Sequence, residues 1–385
     1  MNKLSDPRQF PIRADADPTP AHGEWLSWIE QSLSSMSRQH SEDIDRQLER
    51  AIVDAFDRGD FGRVESALQS ARSPDEYRHL WRAAIAAWRS RTTDVDATVV
   101  AAGFAIPVVI VAAADRDVEV PMSLSEPRVI VDTMKKHGAL GGNQNFGIGG
   151  VLTGVGSIGL DAAAKWPSPH AIDAAAAWID AAAASPVRIA SGVESAHLRF
   201  ILGTALASPK AKALEERTSG AWGMAVAEQL SRQLAVPDVQ VLALPGAPAG
   251  ALSAWQHGLL AHRDVALQLF ASSALRKLRS SFGEPGVVVS AHRVANGGYG
   301  DGELRVSLSS PFGERDAEGF RCPLYPFERV GDVVKIIVDL LSACRVTDIT
   351  VLPGVHPERN ADTGLPLFFR ADSLPAIPES QLRSQ

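Results

Sequence analysis

The sequence predicts a mixed fold, α/β to α+β, with an N-terminal helical layer, a middle α/β region with short strands, and a C-terminal small sheet backed by one helix. Three observations predict it. The first quarter of the chain repeats apolar residues at helical spacing between caps. The middle alternates such helices with short β-branched runs. The last quarter combines turn-flanked alternating stretches with one strongly amphipathic helix.

The chain has 385 residues, of which 45% are hydrophobic and 22% charged, a balance that supports a buried core. A soft prior of about 150 residues per domain gives two or three domains. The expected organisation is a loose N-terminal arm at 1–23, a helical region at 24–95, a mixed α/β region at 96–285, a small α+β unit at 286–370 and a C-terminal tail at 371–385.

The first helix carries Trp25, Trp28, Ile29, Leu33 and Met36 on one face, and the second Ile44, Leu48, Ile52 and Phe56 before stopping at Gly59. A short third helix holds Phe61, Val64 and Leu68. The fourth begins at Ser73-Pro74, with Ser73 as N-cap and Glu76 completing a capping box. Its buried stripe is Tyr77, Leu80, Trp81, Ala84 and Trp88.

The apolar run 97–114 is borderline in length for a membrane helix. Gly103, Pro107, its β-branched content and the flanking acidic residues favour two buried strands, or one strand plus an apolar turn. A helix from Glu126 to about Lys136 should end at Gly138. Helices are also expected from Ser168-Pro169, from Ser208-Pro209, and through Trp222, Val226, Leu230 and Leu234. A strand at 187–190 is expected to run into a helix capped by Ser191 with Glu194, and another strand covers 239–244. Helices from about 251 to 278 follow.

Near the C-terminus, Val287, Val288 and Val289 read as a strand. Leu304, Val306 and Leu308 alternate with Glu303, Arg305 and Ser307, the pattern of a half-buried antiparallel strand. A long loop at 310–329 leads to a helix carrying Val330, Val333, Val334, Ile337, Leu340 and Leu341, then to strands near 349–352 and 367–370.

The net charge is −7, from 38 basic and 45 acidic residues, which argues against salt-dependent binding along a nucleic-acid backbone. Two cysteines, Cys322 and Cys344, lack any Cys-x-x-Cys spacing and read as reduced thiols. The first twenty residues have no apolar core of signal-peptide length, so the expected location is cytoplasmic, with no membrane span.

Four features carry candidate chemistry. Two Glu-x-x-His tetrads, Glu76/His79 and Glu194/His197, could each present a carboxylate and an imidazole on one helix face, the device of carboxylate-bridged di-metal bundles. Both glutamates also stand three residues after a serine, where helix capping explains them, so no metal site is favoured. The stretch 138–159 holds 9 glycines in 22 residues and contains Gly154, Gly156 and Gly159 in dinucleotide-fingerprint spacing. Its flanks do not read as the required strand and helix. The favoured reading is an uncharged mobile loop that includes Asn143, Gln144, Asn145 and Phe146 and orders on meeting a partner, with Asn143 and Asn145 also ligand-binding candidates.

His262-Arg263-Asp264 matches a kinase catalytic-loop tripeptide without the accompanying motifs, and Asp264 suits a helix start. Ser290, His292 and Asp301 are close in sequence, but that proximity defines no triad. The loop 310–329 concentrates Phe312, Phe320, Tyr325 and Phe327 with Arg315, Arg321 and Arg329, the composition of an interface or of rings packed over the small sheet.

The leading functional expectation is a non-enzymatic structural, adaptor or assembly component that binds protein partners or copies of itself, with no cofactor. The alternative is an enzyme or small-ligand-binding protein that uses 138–159 for an anionic ligand or nucleotide.

Overall fold

A computed structural model describes residues 21–92, 100–139, 145–154, 186–207, 219–244, 251–282, 285–293, 302–310 and 313–351. The chain divides into two compact units, Met1–Leu68 with His79–His262, and Gln69–Arg78 with Arg263–Gln385. The fold is mixed α/β, with helices in the N-terminal region and a small C-terminal sheet. None of the described helices is long and apolar enough to cross a membrane.

The N-terminal helices are α1 (Ala21–Ser34), α2 (Arg38–Asp57), α3 (Phe61–Gln69) and α4 (Pro74–Thr92). In the first unit, Trp25, Ile29, Leu48, Ile52, Phe56, Val64 and Leu80 are buried, matching the helical stripes of the sequence. Leu33 and Met36 depart from that expectation. Leu33 lies in the last turn of α1 and Met36 beyond its end, and both side chains are exposed. A polar tie joins three helices: the Ser32 hydroxyl donates to Asp45 at 2.8 Å, and the His79 ring bonds the same carboxylate oxygen at 2.8 Å.

The first unit contains a four-stranded antiparallel sheet, in the order β3 (Asn145–Thr153), β5 (Val193–Ala207), β1 (Val100–Ala114) and β6 (Val239–Ala243). The apolar run near residue 100 is therefore one strand of 15 residues, paired along its whole length with β5. Phe104, Ile106, Val108 and Ile110 enter a core with Trp222, Val226 and Leu230 of α6 (Ser219–Leu234) and Ile130 and Met134 of α5 (Pro127–Lys136). Gly138, at φ +72°, closes α5 as expected, with the Ala139 N–H returning to the Met134 carbonyl.

Two short strands, β2 (Val118–Val120) and β4 (Val187–Ile189), pair antiparallel. A turn with Gly192 at φ +71° then leads into β5. This overturns the helix expected from Ser191. The Ser191 hydroxyl donates to the Asp115 carbonyl and caps nothing, while Glu194 lies opposite Ala113 in the ladder. A partner strand matched over 15 residues outweighs a capping pattern that only weakly favours a helix.

Helix α7 (Ala251–Phe282) is continuous, so Asp264 lies inside it and starts nothing. The second unit builds a sheet in the order β10 (Ile349–Val351), β7 (Gly286–Arg293), β8 (Gly302–Ser310), β9 (Gly313–Leu324), with β10 parallel to β7 and the other pairs antiparallel. The connection from β9 to β10 is the amphipathic helix α8 (Val330–Ala343), which buries Val333, Val334, Ile337 and Leu341. Most of the expected loop 310–329 is thus strand β9. The alternation in β8 is real, yet Arg305 and Ser307 are buried as well as Leu304, Val306 and Leu308, because β8 is an inner strand.

Candidate functional site

In the first unit, β5 carries a polar stripe on an otherwise apolar sheet. Ser195, His197 and Arg199 lie opposite Ala112, Ile110 and Val108 of β1. Directly opposed residues share a face, and those three β1 residues belong to the core cluster. The stripe therefore stands on the core side of the sheet.

The reason it can exist is visible in the ladder. Strand β3 accompanies β5 only as far as the Thr153–Phe200 pair, so among the described residues 193–199 have β1 on one side alone. Carbonyls two residues apart on a strand point the same way. Those of Ala196, Leu198 and Phe200 are each met by a side chain: the His262 ring at 2.9 Å, Arg199 Nη1 at 2.8 Å and Thr153 Oγ1 at 3.3 Å. Among the described residues, side-chain donors meet these carbonyls where no strand beyond β3 does.

The electrostatics are unusual for a core face. His197 is only 8% exposed, and its Nε2 lies 3.0 Å from Ser195 Oγ. Burial, then the positive charge of Arg199, then His262 hold the His197 pKa down to about 4, so the ring is neutral at pH 7. His262 is also lowered, first by burial. Arg199 is half-buried and its pKa is lowered by desolvation. Among the described residues it has no carboxylate partner, and the Leu198 carbonyl takes one of its five N–H donors.

Comparison with known proteins returns no matching family model, no similar curated protein and no similar solved structure.

The sequence-derived candidates fare differently. Glu76 caps α4: its N–H donates to the Ser73 hydroxyl oxygen at 3.1 Å, and its carboxylate accepts the Arg72 N–H at 2.8 Å. His79 is held by Asp45. Glu194 and His197 sit on a strand, not a helix, so the second tetrad loses its shared helical face. Among the described residues, no three His, Cys, Asp or Glu side chains gather to hold a metal.

The glycine-rich stretch is an ordered strand over Asn145–Thr153, not a mobile loop. Asn145 begins β3 opposite Leu206, and Gly154 follows its last residue. Asn143, Gln144, Gly156 and Gly159 lie outside the described residues, as do Asp301, Phe312 and the helices expected near 168 and 208. Ser290 and His292 occupy alternate positions on β7.

In the second unit, Phe320 stacks on Phe270 at 5.2 Å, and Phe327 stacks on Tyr325 at 5.4 Å. Phe320 and Phe327 are buried, so these rings are packed and not displayed. Arg315 lies on β9. Arg321 stands on β9 beside Phe320 and is half-buried. Arg263, from the kinase-like tripeptide, is fully enclosed and paired with Glu328, with Tyr325 under its guanidinium at 5.7 Å. Burial opposes its charge, but the Glu328 hydrogen bond and charge more than restore it. Burial pushes the nearby Cys322 thiol up to about 12, which makes it inert.

Sequence reasoning missed the β5 stripe. The signal was the alternation Ser195, His197, Arg199 against Ala196, Leu198, Phe200, a strand period hidden behind the apparent cap at Ser191.

Proposed function

We propose that this protein binds a small ligand through a carboxylate group seated against Arg199 on β5. Arg199 is the observation that supports this reading: a partly desolvated guanidinium with no carboxylate partner among the described residues. A desolvated cation without an anion is costly, and a bound carboxylate offsets that cost with paired, charge-assisted hydrogen bonds. The neighbouring imidazole of His197 is neutral at pH 7, so one positive charge faces the ligand and a monoanion matches it. The Ser195 hydroxyl adds a polar group on the same face, and the glycine-rich strand ends at Thr153, which pairs with Phe200. This keeps the anionic-ligand alternative of the sequence but moves its centre from the glycines to Arg199.

The test is calorimetric titration of the full chain with acetate, lactate, benzoate and succinate. Saturable binding is expected for at least one monocarboxylate, weakened tenfold or more in Arg199→Met. That variant should also be no less stable without ligand, since it removes a desolvated charge. Equal affinity in wild type and variant, or no saturable binding by any of the four acids, overturns the reading.

A second reading rests on a different observation. Leu33 and Met36, 47% and 103% exposed, place two apolar side chains in water at the α1–α2 corner. They support an adaptor or assembly component that binds protein partners or further copies of itself there. Size-exclusion chromatography with light scattering tests the self-association arm. Oligomers that fall apart in the double variant Leu33→Glu, Met36→Glu are expected, and a monomer at every concentration removes that arm.

A further inference from the structure

We propose that the second face of the C-terminal sheet holds a phosphate group between Arg321 and Arg305. This site lies wholly in the second unit and is independent of the β5 stripe. Strands β8 and β9 are antiparallel, and Arg305 lies directly opposite Arg321. Opposed residues have Cβ atoms about 5 Å apart and share a face. Leu304, Val306, Phe320 and Cys322 are all buried, and they take the other face by strand alternation.

The two arginines are not equivalent. Arg305 is 4% exposed, and its Nε donates to Glu303 at 2.8 Å, two residues along the same strand. Arg321 is half-buried, and no ion pair to it exists among the described residues. Like charges directly opposite on neighbouring strands destabilise a sheet. Glu303 offsets one of the two charges, and among the described residues no carboxylate pairs with the second, at the β9 side. Gly319 lies opposite Ser307 on this same face, so β9 places no side chain on that side of Arg321.

Two guanidinium groups carried on directly opposed positions of one face match an anion with several acceptor oxygens and more than one negative charge. A phosphate dianion fits both counts, whereas the single cation at Arg199 fits a monoanion. Inorganic phosphate and a phosphate monoester share the recognised group, and the two arms of the experiment separate them.

The full chain is titrated with inorganic phosphate and, separately, with glycerol phosphate, at constant ionic strength set with sodium chloride. Saturable binding of at least one is expected, at least tenfold weaker in Arg321→Gln and unchanged in the surface-charge control Arg38→Gln. Preference for glycerol phosphate assigns a phosphorylated small molecule, and equal binding assigns the phosphate group alone. Arg321→Lys, which keeps the charge without the fork, should fall between wild type and Arg321→Gln. Arg305 is too buried for a clean test, so thermal unfolding of Arg321→Gln without ligand supplies the second measurement, and its Tm should equal or exceed that of wild type. No saturable binding of either probe, affinity unchanged in Arg321→Gln, or a marked drop in its ligand-free Tm overturns the proposal.

Discussion

His197 couples the stability of the first unit to pH. Its pKa falls from 6.5 to about 4 on folding, so between those values the unfolded chain binds a proton that the folded chain does not. Stability therefore decreases as pH drops through that window. The full shift corresponds to about 3 kcal/mol. Urea denaturation from pH 7.5 to 4 should show this slope, and His197→Gln should flatten it; parallel curves would show that another group carries it. Arg263 and Glu328 make the complementary point about buried charge. Glu328→Gln leaves a desolvated guanidinium without its anion and should cost about 3–5 kcal/mol. The double variant Arg263→Met, Glu328→Leu should cost clearly less. Equal losses in denaturant midpoints would mean the pair is not acting as a unit. Glu76 shows how much one residue can reveal in sequence, because its cap needs only residues 72–76. Glu194 follows the same local pattern and does something else, because a strand partner about eighty positions away decides its conformation.

At the scale of elements, helix ends were the most readable features. Gly138 closes α5 as its sequence implies. Helix α8 ends in the same geometry without a glycine: Arg345 sits at φ +64°, and the Val346 N–H returns to the Leu341 carbonyl at 3.0 Å. A non-glycine residue is strained there, so Arg345→Gly should stabilise by about 0.5–1 kcal/mol, read as a raised midpoint in thermal unfolding. Gly203 on β5 meets the opposite limit. A Cβ there would come within 2.3 Å of the Phe104 ring and 2.7 Å of the Gly147 carbonyl oxygen. Gly203→Ala should cost about 1–3 kcal/mol through overpacking against a neighbouring strand that has little room to move. An unchanged Tm would show that β3 can shift aside. Strands were less readable than helices. Strand β9 reads as a loop because its sequence, with Gly313, Gly319 and Pro323, lacks β-branched residues. It is a strand because β8 offers a full ladder of hydrogen bonds.

At the scale of the whole molecule, the second unit is assembled from a short early segment and the C-terminal third of the chain. Residues 69–78 belong to it through specific bonds: Arg78 Nε donates to the Phe327 carbonyl at 2.6 Å, Arg329 bonds Asp75 at 2.9 Å, and Tyr77 lies 6.2 Å from the Phe327 ring. Arg78→Met should therefore lower amide protection around 325–334 by about 1 kcal/mol while leaving β1 and β5 unchanged. Hydrogen exchange with mass spectrometry measures both regions at once, and equal losses in the two would contradict the division. Composition, caps and helical periodicity foretold the mixed fold and most described helices, because those signals act over one or two turns. They are written in neighbouring residues. The partners of β5, the inner position of β8, the burial of Arg263 and the arginine pair on β8 and β9 came only with the assembled chain. A strand's hydrogen bonds and a side chain's neighbours belong to residues far away in sequence, and no local pattern encodes that distance.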